Sequence, residues 1–245
     1  MRKKVHKNPE FDHFKKLSNE WWNPYGKFKV LHALTPIRIK YIKNNIFMFN
    51  KNSSKSSEIL KGLEILDLGC GGGLVCEPLA KLGAKVTGID FIKKNIENAR
   101  HHAKISKLNI TYINQDLSSI KLNKHYDIIL MLEVIEHIHN WENVVTKIIK
   151  YLKPNGKIIF STINRTIHSK IFAIILAEKI LKWIPKNTHH YNKLVKPKEL
   201  ITFLNKSNMK IIDTTGLAFN PLLREWFLNK QMTKINYFCT AQKIS

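Results

Sequence analysis

The chain has 245 residues and a formal net charge of +23 at pH 7, and its 44% hydrophobic and 24% charged content excludes a disordered or fibrous protein. No run approaches the roughly 18 apolar residues of a membrane span, and Met1-Arg-Lys-Lys-Val lacks the apolar core of a secretory signal. Three cysteines, at 70, 76 and 239, form neither a disulfide framework nor a zinc pattern, which points to a reducing cytosol.

In chain order, residues 1–62 read as an N-terminal helical extension covering the site. Phe11, Phe14, Leu17 and Trp21 stand at helical spacing, and Asn23-Pro-Tyr-Gly26 ends that helix. A second helix is expected from Thr35 as N-cap, with Pro36 in its first turn, to about Asn44. Asn50 to Ser57 is a polar loop. From residue 63 strands and helices alternate: strands at 63–68, 85–90, 110–114, 126–132 and 157–163, and helices at 74–82, 93–106 and 141–152. Two further strands, 210–214 and 235–242, complete the pattern. The fold class is therefore α/β: a Rossmann-like, seven-stranded, mostly parallel sheet with helices on both faces. This α/β domain is expected to span 63–245, interrupted by an apolar helical insertion at about 164–192.

The charge has a particular make-up: five of the 41 basic residues are arginine and 36 lysine. Lysine is dispersed, in company with abundant Ile and Asn, as A/T-rich codons would produce. The charge is read as base bias and solvation, with an anionic membrane surface as the functional alternative. No nucleic-acid partner is expected, because base and phosphate readers favour arginine.

Asp67-Leu-Gly-Cys-Gly-Gly-Gly-Leu74 follows a strand and opens a helix. Gly69 and Gly71 permit a tight turn and close approach of a ligand. Leu74 stands where the dinucleotide fingerprint needs glycine, and no Walker lysine follows. Asp67, two residues before the first glycine, favours a cationic ligand. Asp90, ending the second strand, is placed to hydrogen-bond ribose hydroxyls, and Asp116 to reach a nucleoside amino group. A positively charged nucleoside is S-adenosylmethionine, and the D-x-G-x-G-x-G turn resembles that of class I methyltransferases.

Glu133-Val-Ile-Glu-His137 follows the fourth strand. On a helical turn Glu133, Glu136 and His137 share one face. They then hold a magnesium-like cation, or the two acids serve as charge partners while His137 is a general base. Plain capping is the third reading. Ile171 to Ala177, flanked by Lys170, Lys179, Lys182 and Trp183, fits an interfacial helix or a lid over an apolar substrate; a helix packed on the sheet and a dimer contact are the alternatives.

These stretches together resemble the ubiquinone-biosynthesis O-methyltransferase family. The matching blocks are Phe14 to Trp22, Phe28 to His32, Thr35-Pro-Ile-Arg38, Leu66 to Leu74, Val86 to Asp90, Glu133 to His137, Ser161 to Arg165, Ile184 to His189, and Thr215-Gly-Leu with Asn220-Pro. The resemblance implies O-methylation of polyprenyl catechol and 3-demethylubiquinol intermediates. It further implies that Arg38 covers the methionine carboxylate, Gly69 and Asp90 hold the cofactor, Leu132 lies against the adenosine, and Glu133, Glu136 and His137 are magnesium positions. A cytoplasmic protein, peripheral on the inner face of the membrane and in contact with a quinone-synthesis complex, is the implied setting.

Overall fold

Apolar runs without polar alternation need cover on both faces, and the sheet receives it. The structure, a computed structural model, describes residues 17–46, 58–167, 169 and 193–244. The first part of the predicted 11–22 helix, up to residue 16, the polar loop and most of the 164–192 insertion lie outside the described residues; the described remainder of that helix is a single 3₁₀ turn, Ser18–Glu20. Among those described, eight strands form one sheet in the order β3-β2-β1-β4-β5-β8-β6-β7. They are β1 (Glu64–Leu68), β2 (Lys85–Asp90), β3 (Thr111–Asn114), β4 (Tyr126–Leu132), β5 (Leu152–Ile163), β6 (Met209–Asn220), β7 (Glu225–Asn229) and β8 (Asn236–Lys243). The first five are parallel, and β8 runs antiparallel between β5 and β6.

The helices are α1 (Lys29–Ile46), α2 (Cys76–Lys81), α3 (Lys93–Ile105), α4 (Trp141–Ile149) and α5 (Pro197–Lys206). Period-two alternation along β4 divides the core. Ile128, Leu130 and Leu132 pack with Tyr41, Ile42, Leu79, Ile96 and Ala99 of α1 to α3. Ile129 and Met131 pack with Val145, Ile148, Leu200 and Leu204 of α4 and α5. Each such side chain contributes about 1.5–3 kcal/mol by leaving water.

Four expectations are corrected. The sheet has an eighth strand, β7, because β6 continues to Asn220 and turns back so that Asn220 pairs with Glu225. Helix α1 starts at Lys29, so Pro36 lies inside it and Thr35 is no cap; the Thr35 hydroxyl donates to the Leu31 carbonyl at 2.8 Å. An interior proline costs about 3 kcal/mol, which burial of Leu34, Tyr41, Ile42 and Ile46 offsets. Helix α5 was not anticipated, although Pro197 opens it and Glu199 accepts the Lys196 backbone N–H at 3.1 Å. Helix α4 stops at Ile149, because Leu152 already begins β5. At the end of α1, the buried Lys157 ammonium of β5 donates to the Asn45 carbonyl, where a helix favours positive charge.

Candidate functional site

The chain leaves β1 toward β2 on one side, while β4 lies on the other, so a crevice opens at the carboxyl ends of β1 and β4. The glycine turn stands there. Gly69 and Cys70 N–H groups both donate to the Ile89 carbonyl, at 2.8 and 3.0 Å. Gly69 and Gly71 have φ of +73° and +54°, a region that disfavours side chains. A Cβ on Gly69 would strike Val134, and one on Gly71 or Gly72 would strike the Trp21 ring. On that side of the turn the close approach is made by the protein's own side chains.

Trp21 belongs to a strap over the turn, residues 17–28, with a single 3₁₀ turn at Ser18–Glu20. Its ring stacks on Phe28 at 3.9 Å. Trp22 donates its indole N–H to the Gly72 carbonyl at 2.9 Å and stacks on His102 at 3.4 Å. His102 Nδ1 in turn lies 2.6 Å from Oε1 of buried Glu77.

Asp90 ends β2, buried. Its Oδ2 accepts the Gly71 N–H at 3.0 Å, and its Oδ1 accepts from Ile92 N–H at 2.7 Å and Asn95 Nδ2 at 3.3 Å. Burial pushes its carboxyl up to about 6, against the pull of those donors. Asp67 is also buried, with the Cys76 thiol donating to it at 3.2 Å. Burial raises it to about 7, opposed by that bond and by the charge of Arg38. Asp116 is exposed and accepts the Ser118 N–H at 2.8 Å, capping the turn after β3.

Arg38, carried by α1, is 5% exposed, and its Nη2 lies 3.6 Å from Glu133 Oε1. Its Nε and Nη2 have no hydrogen-bond partner. A buried guanidinium with idle donors is set for an anion. Leu132 is buried at the end of β4, next to Glu133.

The acidic trio departs from expectation. The Glu133 N–H pairs with the Ser161 carbonyl at 2.8 Å, continuing the β4–β5 ladder, and its φ is +56°. Only Ile135–His137 form a 3₁₀ turn, so the three side chains do not share a helical face. Glu133 Oε1 is already held by the Ser161 hydroxyl at 2.8 Å and by Asn236 Nδ2 at 3.2 Å. Glu136 is 3% exposed, and its Oε2 has no partner. Burial, then the Glu133 charge, pushes its carboxyl up to about 8, with His137 opposing. Among the described residues no group of three His, Cys, Asp or Glu side chains is assembled for a metal ion. With Glu133 Oε1 already engaged and the three side chains off a common face, the arrangement as it stands does not fit a magnesium site.

Ser161 falls within a block noted in the sequence, but its contact with Glu133 was not foreseen. Asn236 and Asn95 gave no sequence signal, because their partners lie 103 and 74 residues away for Glu133 and Trp21 respectively.

A methyltransferase domain model matches residues 42–214. A ubiquinone biosynthesis O-methyltransferase from Pelagibacter ubique is 45% identical over 93% of this chain and 94% of its own. The protein of the same name from Bartonella tribocorum is 42% identical over 96% and 95%. Among solved structures, a magnesium protoporphyrin IX methyltransferase from Synechocystis with bound S-adenosylhomocysteine superposes with a TM-score of 0.67. It covers 96% of this chain and 98% of its own at 19% identity, a likeness of fold.

Proposed function

Because the chain belongs to the ubiquinone biosynthesis O-methyltransferase family, we propose that it methylates phenolic hydroxyls of polyprenyl catechol and 3-demethylubiquinol intermediates with S-adenosylmethionine. The observation that carries the cofactor reading is Arg38, buried with two idle donors and electrostatically coupled to Asp67. A guanidinium beside a carboxylate suits the zwitterionic amino-acid end of the cofactor, carboxylate to Arg38 and cation to Asp67. Asp90 takes the ribose, Leu132 borders the adenosine, and Asp116 stands at the rim for the base.

In the reaction the phenolic oxygen forms a bond to the sulfonium methyl carbon. The C–S bond breaks with its electron pair going to sulfur, and the neutral thioether leaves without needing an acid. The phenolic proton must go to a base, since a phenol of pKa about 10 is mostly protonated at neutral pH. His137, half-buried beside Glu136, is the candidate base in this reading. The protein otherwise aligns the two reactants and excludes water. A magnesium ion at Glu133, Glu136 and His137 is the competing proposal, and it requires those side chains to regroup.

The setting is proposed as the cytoplasmic face of an anionic membrane, where a polyprenyl substrate resides. Among the described residues no helix is long and apolar enough to cross a membrane. The test is methyl transfer from labelled S-adenosylmethionine to a short-chain polyprenyl catechol, with magnesium or with a chelator. Turnover indifferent to the chelator supports His137; turnover that collapses supports the cation. No methylated phenol in either arm, with the cofactor bound, sinks the O-methyltransferase reading and directs the search to carbon acceptors.

A further inference from the structure

Asn95 lies on α3, one turn beyond the end of β2, and is 2% exposed. Its Oδ1 accepts two hydrogen bonds from the strap: Ser18 hydroxyl at 2.9 Å and Trp21 indole N–H at 2.8 Å. Its Nδ2 donates to Asp90 Oδ1 at 3.3 Å. Asn98 Nδ2 adds a bond to the Ser18 carbonyl at 2.5 Å, so the strap is tied to α3 on either side of that serine. Two donors facing one end of the amide fix its orientation, with the NH₂ end toward Asp90.

We propose that Asn95 is a positioning residue for the cofactor, through which closure of the strap sets the Asp90 carboxylate for the ribose. The inference rests on the reading above that Asp90 takes that ribose. The residue type matters. An amide is acceptor on the strap side and donor on the Asp90 side; an aspartate there would set one carboxylate against another, and a leucine would remove the acceptor of the Trp21 indole and one of the donors to Asp90. Asp90 is thereby held by three protein donors, of which only Gly71 N–H falls on Oδ2. Oδ2 keeps a lone pair for a ribose hydroxyl. Without the strap, Oδ1 of Asn95 loses both donors and the amide is free to turn. Strap order and cofactor affinity are then one equilibrium, although neither Ser18 nor Trp21 need touch the cofactor.

The experiment is a calorimetric titration of S-adenosylhomocysteine into the wild type, Ser18→Ala, Asn95→Ala, Asn95→Asp and the Ser18→Ala/Asn95→Ala double variant. Loss of a bond to a charged group predicts a Kd about ten-fold weaker for Asn95→Ala and roughly three-fold weaker for Ser18→Ala. The double variant is expected to match Asn95→Ala, since the serine's partner is already gone. Asn95→Asp keeps the strap-facing acceptor, and its Kd is expected to weaken at least as much as that of Asn95→Ala. In turnover, KM for S-adenosylmethionine rises by the same factor while kcat at saturation stays within about two-fold. Unchanged Kd values with lowered melting temperatures, additive losses, or wild-type behaviour of Asn95→Asp would each overturn the proposal. A wild type that binds no S-adenosylhomocysteine removes the cofactor reading itself, and this one with it.

Discussion

The two flanks of the crevice are built differently. On the β1–β2 flank, Asp90 is held by three protein donors, and the strap closes over the glycines with aromatic rings. On the β4–β5 flank, Arg38 Nε and Nη2, Glu136 Oε2 and Asn236 Oδ1 are buried without a hydrogen-bond partner, although Nη2 lies in an ion pair with Glu133. Buried polar atoms cost free energy when unpaired. Such atoms occur on the first flank as well, at Glu77 Oε2, Thr87 Oγ1 and Tyr112 Oη, so the flanks differ in kind: the first is moulded around Asp90 by protein donors, and the second carries a buried guanidinium with hydrogen-bonding capacity left over. This difference teaches where binding energy is stored before binding and where it is released on binding.

The sharpest way to break that comparison is Arg38→Met. A hydrogen-bonded charged group is worth about 1.5–3 kcal/mol, so cofactor affinity should fall roughly 10- to 150-fold. Arg38→Lys should recover only part, because an ammonium lacks the forked donor geometry. Calorimetry with S-adenosylhomocysteine reads both, and wild-type affinity in Arg38→Met would remove the anion site.

Gly71→Ala probes the moulded flank. The new Cβ meets the Trp21 ring at a φ that disfavours it, and such overpacking costs about 1–3 kcal/mol. The expected outcome is a lowered melting temperature and faster hydrogen exchange in residues 17–28; an unmoved strap would contradict the packing.

Acidity tests the moulded flank in another way. Burial raises the Asp67 carboxyl to about 7, above its unfolded value. Its contribution to stability is complete below about pH 4 and is lost as pH rises through about 7. Asp67→Asn should therefore gain in melting temperature relative to wild type between pH 5 and pH 8. Because the ionised form attracts a cationic ligand, cofactor affinity should strengthen over the same rise. Identical pH profiles for the two proteins would refute both signs.

Ser161→Ala should have the smallest effect. It removes one bond to Glu133, which Asn236 and Arg38 still hold, so the loss should be about 0.5–1.5 kcal/mol. Steady-state kinetics should show the loss in kcat or in KM for the phenol, with KM for S-adenosylmethionine unchanged.

The moulded flank was the more legible one in the sequence. The D-x-G-x-G-x-G turn and Asp90 are local patterns whose neighbours in the chain are also their neighbours in space. The strand run from β1 to β5 was readable for the same reason, since continuous Ile, Leu and Val declare double-sided burial. The other flank depends on partners from β5, β8 and α1, and Glu133 leaves its expected helix because a ladder bond to Ser161 outweighs local spacing. Helix α1 shows the same override, since Pro36 reads as a start locally but tertiary burial carries the helix through it. The eighth strand was missed because β7 is five residues long and stands beside the fully exposed Leu222, which looks like a loop.

Lys157 has a use of a different kind. It is the single buried lysine among the described residues, at 1% exposed, and burial pushes its ammonium below the usual range. An amine-acylating reagent applied to the native protein should tag the exposed lysines and leave this one untouched. Its tag would appear only when α1 lifts from the sheet, so a single peptide in a mass spectrum becomes a clock for the detachment of the helix that carries Arg38.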